Sequence, residues 1–292
     1  MYLAFYGLER EPFRLNPDPR FLHLASPHRN VLEAMLGGVS SRKGLQVSVG
    51  PIGTGKTTLL YCLQQILMHE AVPEHPVRTA FIVNPVLTSL EFFEMLFDEL
   101  EVPPPAKTKP AYLRAFHEIL CEGHGRNGTL LLIIDEAHLL SPALLEEVRL
   151  LLNLDNYAVN VLQVLLCGQP ELLTLLARPE FAALKQRVSV FTRLRPLTLV
   201  ESRAYITERM HVAGLRGEVP FTTPGLEEIH RRSNGVPRLM NTICDRALAV
   251  GCRCQMHKIS PDVVSEAADD LSIIAGPPVL STVPAIASLS NG

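Results

Sequence analysis

Apolar positions along this chain follow two regimes. Up to about residue 193, short apolar runs alternate with stretches of helical spacing, and beyond it only helical spacing remains. Gly44–Val49 is short and alternating, as a strand is, and Thr58–Leu67 carries its apolar residues three and four apart, as a helix does. Val77–Asn84 reads as a second strand, Ser89–Leu100 and Ala111–Cys121 as helices, and the proline- and lysine-rich Val102–Pro110 as a loop. The unbroken apolar run Leu130–Ile134 is the pattern of a strand buried on both faces of a parallel sheet. Ser141-Pro142 opens a helix with Leu144, Leu145, Val148, Leu151 and Leu152 on its inner face. Asn160–Cys167 is a further strand, short helices follow to about Leu184, and Arg187–Phe191 is the last strand. The alternation predicts a three-layer α/β domain over residues 31–193.

From Leu194 the pattern gives four amphipathic helices, Glu201–Ala213, Pro224–Arg232, Pro237–Cys252 and Pro261–Leu271. These predict a small all-helical second domain over residues 194–271. Residues 1–30 mix aromatics with prolines. Prolines forbid a long helix and aromatics demand burial, so an extended, turn-rich arm packed on the α/β core is expected. A helix should begin near Ser26-Pro27 and run to Gly37-Gly38. Residues 272–292, with Pro277, Pro278 and Pro284, read as a flexible tail.

Composition narrows the class. With 47% hydrophobic and 20% charged residues the chain is globular, and its net charge of −3 gives no overall reason to expect nucleic acid. Six cysteines scattered through apolar segments suit reduced thiols, and neither a leader nor a membrane-spanning run is evident, so a cytoplasmic location is expected. Cys252-Arg253-Cys254 with His257 lacks a fourth ligand for a zinc site.

The candidate chemistry begins at Gly50-Pro51-Ile52-Gly53-Thr54-Gly55-Lys56-Thr57, which fits G-x-x-x-x-G-K-[ST] at every fixed position, followed by Thr58. A strand precedes it and a helix follows. Glycines let backbone N–H groups close around phosphates, and the helix N-terminus adds positive potential. Lys56 is then expected to reach the β- and γ-phosphates of ATP, and the Thr57 hydroxyl to hold Mg2+. Asp135-Glu136 ends the buried strand at the edge where open α/β sheets bind ligands. Asp135 is the expected metal ligand and Glu136 the group that polarises the attacking water, which makes ATP hydrolysis the expected reaction. Asp-Glu-Ala-His occurs in helicases too, but that reading needs further motifs and a second α/β domain. Gln169 is either a γ-phosphate sensor or a turn residue after Gly168. Arg238, at the start of a second-domain helix, either reaches back over the nucleotide or is a solvated arginine. Arg187 and Arg193 are candidates for a finger in a neighbouring subunit's site, or partners of local acids. His28 and His230 read as structural.

Taken together, these residues resemble the ExeA-like, or general secretion pathway protein A, branch of the AAA+ ATPases. The likeness spans about residues 1 to 270. It rests on Phe5-Tyr6-Gly7-Leu8, Pro12-Phe13 and Pro17-Asp18-Pro19-Arg20-Phe21-Leu22, on Asp135–Leu140, on Leu151-Leu152-Asn153-Leu154 and on Gly168–Leu172. In the second domain it rests on Leu194–Leu197, Tyr205–Arg209 and Ser233–Arg238. The resemblance implies a P-loop NTPase of the AAA+ class with a helical lid and an N-terminal arm near the adenine. It maps Walker A to Gly50–Thr57, Walker B to Asp135-Glu136, sensor 1 to Gln169, sensor 2 to Arg238 and the arginine acting in a neighbour to Arg187. It also implies a homo-oligomer, ring or dimer, and a protein partner in envelope secretion or export machinery. The membrane span and peptidoglycan-binding region that follow the ATPase in secretion members do not occur in this sequence. The alternative is an ATP-bound switch that regulates a transposase or a DNA-bound complex. Arg231-Arg232, Arg238, Arg246 and Arg253 would supply its basic stripe, or form a solvated helical face.

Overall fold

The computed structural model describes residues 2–14, 26–70, 75–155 and 160–275. Five strands, β1 (Leu45–Val49), β2 (Val77–Ile82), β3 (Thr129–Ile134), β4 (Leu162–Gly168) and β5 (Val188–Arg193), form one sheet in the order β2-β3-β4-β1-β5. Every pairing is parallel. Helices α2 (Ser26–Ser40) and α3 (Lys56–Glu70) cover one face. On the other face lie α4 (Ser89–Glu99), α5 (Lys109–Gly125), α6 (Pro142–Leu154), α7 (Glu171–Leu176) and α8 (Ala182–Lys185).

Strand β3 explains why its sequence is continuously apolar. Leu130, Leu132 and Ile134 pack with α4–α8, while the alternating Leu131 and Ile133 pack with α2 and α3. Side chains of a strand alternate between faces, so only a strand covered on both sides needs no polar position. The three-layer expectation holds. Helix α6 starts where Ser141-Pro142 predicted, with Ser141 Oγ accepting from Leu144 N–H.

Past the sheet, Thr198 and Glu201 form a reciprocal capping box that starts α9 (Leu199–Val212). With α10 (Thr223–Ser233), α11 (Pro237–Arg253) and α12 (Pro261–Ala275), it encloses a separate core that includes Ile206, Met210, Ile229, Met240, Cys244 and Val264. Helix α12 extends through Ala275, so residues 272–275, expected in the tail, are helical; the rest of the expected tail, residues 276–292, lies outside the described residues.

The arm departs from expectation. Tyr2–Tyr6 form a short helix, α1, and residues 2–14 pack on the helical unit rather than on the α/β core. Tyr6, Leu8 and Phe13 enter the helical core, Tyr2 Oη donates to Asp245, and Tyr6 Oη donates to Met256 O. Buried Arg209 donates to Pro12 O at 2.6 Å. The physical reason is local: no proline precedes Pro12, and Tyr2, Phe5 and Tyr6 fall on one helical face. The segment Pro17–Leu22, quoted for the resemblance, lies outside the described residues.

Candidate functional site

Three neighbouring strands, β1, β4 and β3, end at the same sheet edge and deliver Gly50, Gln169 and Asp135. The loop after β1 is tied to the strand beside it by Gly50 N–H donating to Gly168 O. Gly53 and Gly55 have φ of +77° and +97°, values that an L side chain resists. Lys56 opens α3; its ammonium is buried and donates to Gly50 O at 3.0 Å and Pro51 O at 3.1 Å. Ile52 is 64% exposed.

Thr57 Oγ1 donates to Asp135 Oδ2 at 2.5 Å, closing the gap between the first turn of α3 and the end of β3. Asp135 is buried, and its other oxygen accepts from Glu136 N–H at 2.8 Å. Burial pushes the Asp135 carboxyl above its ordinary range, while the Thr57 and Glu136 hydrogen bonds and Lys56 pull it down. A hydroxyl and a carboxylate, both hard oxygen donors, fit magnesium.

Glu136 has φ +48°, an unusual left-handed conformation for a non-glycine residue beside a candidate site. Its Oε2 lies 3.3 Å from His138 Nδ1, and Gln169 N–H approaches the same nitrogen at 3.4 Å. His138 Nδ1 therefore stands between Gln169 and Glu136 and can serve only one of them at a time, accepting from the Gln169 backbone N–H or donating to Glu136 Oε2; the sequence reading gave this residue no role. On the far side of the loop Arg238 N–H, in the first turn of α11, donates to Gly53 O at 3.1 Å, so the helical unit touches the loop directly.

Arg187 is not gathered here. It precedes Val188, which pairs with Leu45 at the start of β1, whereas the loop follows the end of β1. Its guanidinium donates to Leu152 O and Asn153 Oδ1 at the end of α6. Arg193, in register with Val49, is the arginine nearer the loop edge along the sheet. Missed by the sequence reading as a site residue was His28, buried on α2 with Nε2 2.8 Å from Thr54 O. A single histidine in the first turn of an amphipathic helix carries no pattern that would announce this contact.

Residues 39–176, from the end of α2 to the end of α7, match the AAA domain family. The chain carries an AAA domain. The chain is 36% identical over 278 residues to general secretion pathway protein A from Aeromonas hydrophila, a match covering 93% of this chain and 49% of that protein. It fits the ATPase module of that type, and spans about half the length of the relative. Among solved structures, the AAA domain and its helical unit superpose on Aeropyrum pernix ORC2 in ADPNP–ADP complexes. That match has a TM-score of 0.67, 19% identity, and coverage of 90% of this chain and 72% of that one. Cdc6p from Pyrobaculum aerophilum gives a TM-score of 0.66 at 17% identity, covering 91% and 74% of the two chains. The Thermotoga maritima RuvB branch migration motor gives 0.56 at 18%, covering 85% and 70%. At such identities these structures establish the shared fold alone. Among the described residues no helix is long and apolar enough to cross a membrane.

Proposed function

We propose that this AAA module binds ATP in the Gly50–Thr57 loop, with Thr58 just behind it, and hydrolyses it. The observation that carries the reading is the Thr57–Asp135 contact at 2.5 Å, which unites the phosphate loop with the acidic strand end. Magnesium held by Thr57 and Asp135 would supply charge neutralisation at the phosphate oxygens. Lys56, held above the loop, adds a cation for the β- and γ-phosphates. Glu136, next to Asp135 and outside the metal pair, polarises the attacking water. Gln169, at the end of β4 beside the Asp135-Glu136 strand end, reports the γ-phosphate. Arg238, whose backbone already grips Gly53, serves as the lid's sensor, so that nucleotide state is coupled to lid position. On the likeness to general secretion pathway protein A we assign Arg187, held here by Leu152 O and Asn153 Oδ1, to the site of a neighbouring copy, and take the active form to be a ring or dimer.

We take the process served to be envelope secretion or export, on the likeness to general secretion pathway protein A, and the module to work on the cytoplasmic side. The switch reading, with a transposase or DNA as partner, gains less support. Arg231 and Arg232 are engaged with Glu228, and Arg232 also with Asp269, so this pair offers little to a basic stripe.

The test is ATP turnover with and without magnesium for wild type and Glu136→Gln, with mass measured by light scattering. Wild type should hydrolyse ATP only with magnesium. The variant should bind ATP, lose about two to four orders of magnitude in turnover and assemble into a larger species. Unchanged turnover in the variant would remove Glu136 from its role, and no ATP binding by wild type would end the nucleotide reading.

A further inference from the structure

We infer that His28 is a positioning residue of the phosphate loop: it fixes the Thr54–Gly55 peptide so that the Gly55 N–H faces bound phosphate. The inference rests on the nucleotide reading above, but concerns a residue outside the segment that matches the AAA domain family, residues 39–176.

The geometry is as follows. His28 lies in the first turn of α2, on the sheet face that α3 also covers, and is 6% exposed. Its Nε2 stands 2.8 Å from Thr54 O. A carbonyl oxygen can only accept, so Nε2 carries the proton and donates. No cis peptide bond occurs among the described residues, so the Thr54–Gly55 peptide is trans and planar. In such a unit the C=O and the following N–H point in opposite directions. Holding Thr54 O against His28 therefore turns Gly55 N–H away from α2. Rotation of this peptide by half a turn, which Gly55 at φ +97° could otherwise accommodate, would swap the N–H for a carbonyl and present negative potential to an anion. The imidazole also fills the space beside Gly55, where an added Cβ would come within 3.2 Å of Nε2.

The adjacent peptide is held in the same manner from the opposite unit, where Arg238 N–H donates to Gly53 O. Two successive carbonyls of the loop are thus anchored from outside. The Gly53 anchor belongs to the helical unit, whereas the Thr54 anchor belongs to α2, which packs on the sheet. His28 thus holds its part of the cradle independently of the contact from the helical unit.

The test compares His28→Ala, His28→Gln and His28→Asn by competition of ADP and of adenosine against a fluorescent ATP analogue, with thermal melting alongside. Glutamine places an amide N–H near the position of Nε2, whereas asparagine is too short to do so. The expected result is about a tenfold loss of ADP affinity for His28→Ala and His28→Asn, the size of one lost hydrogen bond. Adenosine affinity should stay within twofold, and His28→Gln should recover most of the ADP affinity. Equal losses for ADP and adenosine, unchanged ADP binding in His28→Ala, or a glutamine variant no better than asparagine would each overturn the assignment. If His28→Ala fails to fold, the glutamine–asparagine difference decides. Absence of ADP binding in wild type would instead overturn the underlying nucleotide reading.

Discussion

Gly53→Ala tests whether the helical unit is part of the nucleotide site. A methyl built on Gly53 would lie 2.9 Å from Arg238 Cβ and 3.0 Å from Val236 Cγ1. Ordinary carbon–carbon contacts are about 3.5–4.0 Å, so the two must separate by roughly 0.6 Å or more. Arg238 Cβ is fixed to the first turn of α11, and rotamer changes cannot move it; the helix itself must shift. The Arg238 N–H to Gly53 O hydrogen bond, at 3.1 Å, then stretches past hydrogen-bonding range. Its loss costs about 1 kcal/mol, and the left-handed backbone costs an alanine about 1–2 kcal/mol more. Together these give a stability loss of roughly 2–3 kcal/mol, measured by chemical denaturation, of which the hydrogen-bond part should reappear as about fivefold weaker ADP binding. The two readouts separate the causes. Lower stability with unchanged ADP affinity would leave the strain argument standing but refute a contribution of the lid contact to the site. A variant within about 0.5 kcal/mol of wild type, binding ADP normally, would refute both.

Three further outcomes are expected. Thr57→Val removes the hydroxyl facing Asp135 Oδ2 at nearly constant volume, so magnesium should no longer tighten ATP binding; calorimetry with and without the metal checks this, and a retained magnesium effect contradicts it. Glu228 accepts from Arg231, Arg232 and Ser265, chiefly Arg231, which hold its carboxyl at about 2. A depressed folded value stabilises the fold above the unfolded value near 4.5, and that stabilisation disappears as pH falls toward 2. Glu228→Gln should therefore cost about 1–2 kcal/mol at pH 7, since the exposed Arg231 is partly screened, and the gap to wild type should close between pH 4.5 and pH 2 in acid titrations followed by circular dichroism. Arg209→Ala withdraws the guanidinium from Pro12 O and Tyr205 Oη, and should cost about 2–3 kcal/mol and open residues 2–14 to limited proteolysis while the α/β core resists it.

Much of this was legible in the sequence because the features concerned are periodic or local. The apolar run Leu130–Ile134 could only be a doubly covered strand, and the four helices after Leu194 each announced an apolar stripe. The phosphate loop declared itself through spacing alone. Less legible were properties set by long-range contact. Helix α5 was expected to stop at Cys121, yet it runs to Gly125, because glycine lowers helix stability without forbidding the conformation. The arm's aromatics signalled burial without saying where, and their seat is formed by residues such as Asp245 and Met256, over two hundred positions away. His28 and His138 gave no signal for the same reason: each acts on a loop that only the sheet brings near.

Placing residues 2–14 in the helical core also imposes an order on biosynthesis. Tyr2 meets Asp245, and Tyr6 meets Met256, across separations of 243 and 250 residues. A ribosome releases the arm first and its seat last, with the whole sheet synthesised in between. Until α11 emerges, Tyr2, Phe5 and Tyr6 have no native core to enter, and the helical unit cannot close. The α/β domain is thus an insertion within a unit whose core stays incomplete until α12 has been translated, and until then the aromatic side chains of the arm lack the surface that buries them.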